Sequence, residues 1–269
     1  MSCFSLSTEL IALNKNEIKQ TGFNKGSFFF YWGYNRAYYS YSNIHFRGEG
    51  YDFTLSHVKA KDRPSKVGAT PYLNIEQITI PQYNYRLGYN INSRYSISFG
   101  FDHMKYVMNQ NQTVNVDGFI KDSKTTYDGV YRHTPLELKK DFLEFEHTDG
   151  LNYLNFELTR KDKLLSFHKN IQLNSVLGGS IGGMFPRTRT ILMQKNLNDE
   201  WHFSGVGVTG NLGLNTMFFK RIFLQSTVKL GYINLPSIVV SSNKNEKADQ
   251  HFSFLQVNVV LGYQFNLKR

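Results

Sequence analysis

The chain has 269 residues, 41% hydrophobic and 19% charged, with a mean hydropathy of −0.40 and a formal net charge of +10. That composition excludes a disordered chain, and no apolar stretch reaches the roughly 18 residues that a membrane-spanning helix needs. A lone cysteine, Cys3, excludes an internal disulfide and a cysteine-based zinc site. Aromatic residues are in excess, with 22 Phe and 17 Tyr beside 21 Gly, a mixture suited to strands and tight turns. The basic residues are scattered and match no nucleic-acid-binding motif, so nucleic acid is not expected as a partner. Anionic lipid headgroups or lipopolysaccharide suit the charge better.

Residues 1–25 read as a leader remnant or a short periplasmic segment, with an ordinary helix start as the alternative, and residues 26–269 as one β-domain. "CFSLSTELIAL" resembles a shortened signal core without a basic start or a small-residue cleavage site. From there the chain reads as strands near 27–38, 50–59, 72–80, 83–92, 94–107, 140–160, 170–185, 201–216, 221–235 and 252–268. In "YDFTLSH", Tyr51, Phe53 and Leu55 alternate with Asp52, Thr54 and Ser56. In "YNYRLGYNI", Tyr83, Tyr85, Leu87 and Tyr89 alternate with Asn84, Arg86, Gly88 and Asn90. "RYSISFGFDHM" sets Tyr95, Ile97, Phe99 and Phe101 against Ser96, Ser98, Gly100 and Asp102. "RIFLQSTVKLGY" and "FLQVNVVLGYQFNLKR" repeat the pattern, the latter with Val257, Val259 and Leu261 opposite Gln256, Asn258 and Gly262.

Period-two alternation means a half-buried strand. Two features point past a soluble sandwich. Several runs exceed the usual five or six residues of a globular strand. The polar face is small and largely uncharged, while Tyr83, Tyr95, Tyr232, Tyr263 and Phe265 stand at strand ends like aromatic girdles. The expected fold is all-β: a single antiparallel up-and-down transmembrane β-barrel of about ten strands in the outer membrane of a Gram-negative bacterium. Short turns at 90–93 and 217–221 mark one end, and the long polar links 107–139, 186–200 and 236–251 the other. "TVNVDGFI" and "TTYDGVY" in the first link can add a hairpin and make twelve strands. One strand breaks phase: Leu143 and Phe145 are odd, Leu154, Phe156 and Leu158 even. "HTDG" between them is a hairpin turn or a bulge, and only a bulge preserves the up-down order.

On this parity the inward face carries Asp52, Arg86, Asp102, Glu144, Glu146, Glu157 and Lys229. Buried charges must pair, so Asp52, Arg86, Asp102, Glu144, Glu157 and Lys229 are expected to form a lumen ion network. "FDHMKY" and "FEHTDG" offer a sharper possibility. Asp102, His103, Glu146, His147 and Asp149 supply two imidazoles and three carboxylates, a set able to act as general acid and base or to hold a metal. Their spacing matches no metal motif, and the sequence names no cofactor. "GGSIGGMFPRTRT" runs into Pro186 without a Gly-Lys-Ser/Thr, so it is not a phosphate loop. Arg187 and Arg189 beside it are candidates to meet lipopolysaccharide phosphates.

The strings "FFFYWGYNRAYYSYSNIHFRGEGYDFTL", "KAKDRP", "ITIPQYNYRLGY", "FGFDHMKYVM", "FLEFEHTDGLNYLNFEL", "GGSIGGMFPRTRT" and "GYINLPSI" resemble a family of uncharacterised outer-membrane β-barrel proteins of Bacteroidota, over most of residues 27–265. The resemblance implies the barrel and the outer membrane and brings no activity. Three functional readings follow. The first is a non-enzymatic, porin-like barrel of the cell envelope, serving a structural, binding or envelope-complex role. The second is a membrane enzyme acting on lipopolysaccharide or phospholipid through the His and carboxylate cluster. The third is a lipocalin-like soluble barrel with an apolar ligand inside.

Overall fold

The structure is a computed structural model that describes residues 22–267 apart from 67, 75, 169, 199, 200, 242 and 244. Most of the expected leader segment, residues 1–21, lies outside the described residues. The described strands are β1 (Phe28–Tyr39), β2 (Ser42–Gly48), β3 (Tyr51–Val58), β4 (Ala60–Lys61), β5 (Tyr83–Asn90), β6 (Tyr95–Met108), β7 (Thr113–Ile120) and β8 (Gly129–Glu137). They continue with β9 (Leu143–His168), β10 (Ile171–Pro186), β11 (Arg189–Leu192), β12 (Lys195–Asn198), β13 (Gly205–Phe218), β14 (Ile222–Val239) and β15 (Lys247–Phe265).

Eight of these close into an antiparallel barrel in the order β1-β5-β6-β9-β10-β13-β14-β15, with β15 pairing back to β1 from Phe28↔Phe265 to Tyr39↔Phe254. The ring therefore has eight strands, where the sequence suggested ten or twelve. The difference has two causes. The described residues of 72–80 form no strand: Tyr72 ends a short helical turn, Ala69–Tyr72, and most of the others are turns, between Pro71 and Pro81, which lack the N–H a ladder needs. The apolar alternation of β3 belongs to a second structure. Above the ring, β2, β3, β7 and β8 extend the sheet from the upper part of β15, and β11 and β12 extend it from the upper part of β9. The hairpin read in the 107–139 link forms, as β7 and β8.

The two lobes bury opposite kinds of side chain. In the ring the outward residues are apolar and the inward ones polar: Leu212 is 63% exposed and Asn211 6%, Leu230 62% and Lys229 3%. In the upper lobe the sense reverses. Ile44, Phe46, Phe53, Leu55, Val116 and Phe145 form a dry core, and the outside is polar. The change happens within single strands and without a change of parity. Along β14 the inward series runs Gln225, Thr227, Lys229 and then Ile233, Leu235; the outward series runs Leu224, Val228, Leu230, Tyr232 and then Asn234. Along β15, paired with it at Tyr232↔Ser253, the outward series runs Leu261, Val259, Val257 and then Ser253, His251, Asp249. The backbone is continuous, so it is the surroundings of the wall that change at this level.

Aromatic rows mark the edges of the apolar girdle. Tyr89, Phe28 and Phe265 stack at the lower rim, with centroids 5.1 and 6.1 Å apart. Trp32 lies 4.7 Å from Tyr83 and 5.9 Å from Tyr85, and Tyr85 lies 5.5 Å from Phe101, higher on the same wall. At the phase break β9 carries a bulge and not a hairpin turn: β6 and β9 pair Met104↔Leu151 and then Tyr106↔His147, with Gly150 at φ +130°. Its two extra residues leave the parity unchanged, so Leu143 and Phe145 face inward like Leu151, Tyr153 and Asn155, and the apolar set changes parity because the upper lobe is apolar inside.

Candidate functional site

The ring interior is a polar chamber closed at both ends. Below, the chain enters the barrel before β1, and Phe23 packs with Phe29, Tyr31, Phe223, Met217 and Val260. Lys161 Nζ sits 3.7 Å from the centre of the Phe23 ring, a cation–π contact, and donates to Ser96 Oγ at 3.2 Å. Above, Met104, Tyr153, Met184 and Phe254 begin the dry core of the upper lobe.

Between these layers four charges meet. Lys229 Nζ donates to Asp102 Oδ2 at 2.7 Å and lies 3.9 Å from Glu157 Oε2. Arg86 Nη2 lies 3.6 Å from Glu157 Oε2 and 3.8 Å from Asp102 Oδ2. Neutral groups complete the shell: Arg86 donates to Tyr31 (2.8 Å) and Asn155 (2.9 Å), and Asn211 and Thr159 donate to Glu157 at 3.0 Å each. Two cations and two carboxylates cancel, which is the condition for keeping them out of water. Glycine makes the room: a Cβ on Gly100 would stand 2.7 Å from Arg86 Cζ.

Asp52 and Glu144, expected in this network, lie elsewhere. Asp52 is on β3 of the upper lobe, whose apolar face turns inward, so its carboxylate faces out and accepts from His45 Nε2 at 2.8 Å. Glu144 lies above the bulge of β9, on the face opposite Leu143 and Phe145.

The His and carboxylate candidates divide among three places. Asp102 belongs to the lumen network. His103 faces the other way, 4.9 Å from the Tyr83 ring, and donates to Asn152 Oδ1 at 2.8 Å. His147 points into the upper core between Phe145 and Tyr106, with Nδ1 2.9 Å from Thr188 Oγ1. Burial there pushes its pKa down to about 4, so the imidazole is neutral at ordinary pH. Glu146 is on the outward face of the wall but is buried beneath arginines, and Asp149 is exposed. The described residues hold no group of three or more His, Cys, Asp or Glu placed to hold a metal.

Glu146 and Asp149 instead meet arginines. Arg189 pairs with Glu146 across β11 and β9, its Nη1 3.5 Å from Oε1. Arg63, delivered by β4 lying along β6, approaches Oε2 at 3.2 Å. Arg187 holds Asp149 at 3.0 Å. The three guanidiniums surround a cleft of about 280 Å³, and against two carboxylates they leave one positive charge in excess. Arg187 stands two residues after Phe185, whose ring meets the exposed Phe203 at 5.5 Å, so the cleft stands just above the apolar girdle. Arg63 was not expected here; its only sequence signal is the basic run "KAKDR".

No protein-family model matches the chain, and no curated protein is significantly similar to it. Among solved structures it is similar to the outer membrane protein OprG from Pseudomonas aeruginosa, at 14% identity over 92% of this chain and 100% of that one, with a TM-score of 0.39. It is also similar to Ail, the attachment invasion locus protein of Yersinia pestis, at 10% identity over 90% of this chain and 99% of that one, with a TM-score of 0.31. The N-terminal β-barrel domain of Pseudomonas aeruginosa OprF shares 9% identity over 90% of this chain and 98% of that one, with a TM-score of 0.29.

Proposed function

We propose that this chain is an integral barrel protein of a Gram-negative outer membrane, non-enzymatic, with a closed lumen and a folded binding lobe held outside the cell. The observation that carries the reading is the reversal of polarity along β14 and β15 at the Tyr232–Ser253 row. A wall that is apolar outside below that row and polar outside above it matches a lipid phase below and water above. The long strand extensions then lie on the extracellular side, where outer-membrane barrels carry their larger loops.

The lumen favours anchorage over transport. Apolar layers close the polar chamber at both ends, and a neutral four-charge cluster fills its middle. Purified protein in a planar lipid bilayer should therefore show no steady conductance. A stable open-pore current would overturn the closed-lumen reading. The cleft of Arg63, Arg187 and Arg189 stands at headgroup height in this orientation and suits the phosphates of lipopolysaccharide. In the same preparations, Arg187→Gln with Arg189→Gln should lower the lipopolysaccharide retained per protein. Unchanged retention would remove that contact from the proposal.

A further inference from the structure

At the far tip of the upper lobe, four connections distant in sequence converge: the β2–β3 turn, the β7–β8 link, the β11–β12 turn and the β14–β15 link. They enclose a cavity of about 500 Å³, within the size range of small-molecule sites. Two of the turns are pinned together, since Lys121 N donates to Gly50 O at 2.8 Å and Gly50 holds a φ of +82°. A Cβ at Gly50 would meet Lys121 O at 2.8 Å, so the approach needs glycine.

The lining has three parts. Leu192, Met193 and Leu197 give an apolar patch. Glu49, Asp122 and Glu246 give acceptors, and Lys121 and Lys195 give donors, all five without a salt bridge among the described residues. Tyr51 completes the wall: it is 4% exposed, and its hydroxyl has no hydrogen-bond partner among the described residues. A buried hydroxyl without a partner is costly, and a ligand hydroxyl that reached it through the cavity lining would satisfy it. Burial and the nearby Glu246 raise the phenol's pKa well above its ordinary value, so it stays protonated and able to donate.

We propose that this cavity binds a sugar residue of a neutral glycan. Donors and acceptors of both signs lie around one small space, and their charges nearly cancel, with two lysines against three carboxylates. A strongly anionic or cationic ligand would leave part of that set repelled. A polyhydroxylated ring offers a donor and an acceptor at each hydroxyl, and its C–H face suits the Leu192, Met193 and Leu197 patch. The cavity lies in the lobe with a dry core and a polar exterior, so the inference is independent of which membrane anchors the ring.

The test uses the full chain in a detergent without a sugar headgroup. Saturation-transfer NMR and calorimetry would be run with maltotriose, lactose, N,N′-diacetylchitobiose and, as a peptide control, Gly-Gly-Gly. The expected result is binding of at least one sugar, weakened about tenfold or more by Tyr51→Phe and by Asp122→Asn. Heat-modifiable gel mobility should be unchanged. Tyr51→Phe removes only the hydroxyl; should it fail to fold, the exposed Asp122→Asn carries the comparison. Binding of none of the three sugars overturns the inference. So does sugar binding that the foldable variants leave intact, or Gly-Gly-Gly binding as tightly as the sugars.

Discussion

Replacing Lys229 with Met should destabilise the barrel by about 3–5 kcal/mol, the cost of leaving a buried charge without its partner. Lys229 Nζ is the nearest cation to Asp102, at 2.7 Å, and Arg86 is 3.8 Å away and shared with Glu157. Without Lys229 the cluster keeps one cation, Arg86, against two carboxylates, all nearly inaccessible to water. Adding Asp102→Asn should restore most of the loss. Arg86 and Glu157 then balance, and an amide at 102 can still bond Asn155. Urea unfolding of the refolded single and double variants gives the coupling. Single variants as stable as the parent would mean that water reaches the cluster and screens it.

The second large effect separates the two faces of β15. Val259 is half-exposed on the girdle and Asn258 is buried in the lumen, where it accepts from Asn84 and donates to Thr227. Val259→Arg places a charge in the apolar band, at a cost of roughly 2–4 kcal/mol near a bilayer midplane. It should sharply reduce the folded protein recovered in membranes. Asn258→Arg enters a polar chamber already holding charge and should cost less, mostly through crowding. Equal damage would mean that the faces are not lipid and lumen. Greater damage from Asn258→Arg would favour a soluble barrel.

The ring was legible in the sequence because its alternation is long and its polar face is made of Asn, Ser, Thr, Gln and Gly. Parity alone put Arg86, Asp102, Glu157 and Lys229 on one face, and the register brings them to one level. β3 shows what parity cannot carry. Tyr51, Phe53 and Leu55 alternate as cleanly as Tyr85, Leu87 and Tyr89, yet they face inward, because alternation is the same whether the apolar side meets lipid or a core. Asp52 was misplaced for that reason. Glu144 was misplaced for the same reason, since β9 keeps one parity inward through its bulge and its apolar residues above the bulge face a core. Grouping Asp102 with Glu146 in one His and carboxylate set likewise failed, since the two carboxylates stand on opposite faces of the wall. Arg63 and the cavity at the tip depend on loop convergence, which no local pattern encodes.

The central claim is that the surroundings of the wall change from lipid to water at the Tyr232–Ser253 row while the strands run straight through. Single cysteines placed at successive outward positions of β14, from Leu224 through Val228, Leu230 and Tyr232 to Asn234, test it directly, with Cys3 replaced by Ser. Labelling intact cells with a membrane-impermeant maleimide should leave positions 224, 228 and 230 unmodified and modify 234. The change should fall at 232. Uniform labelling along the series, or labelling at 230 with protection at 234, would contradict the account.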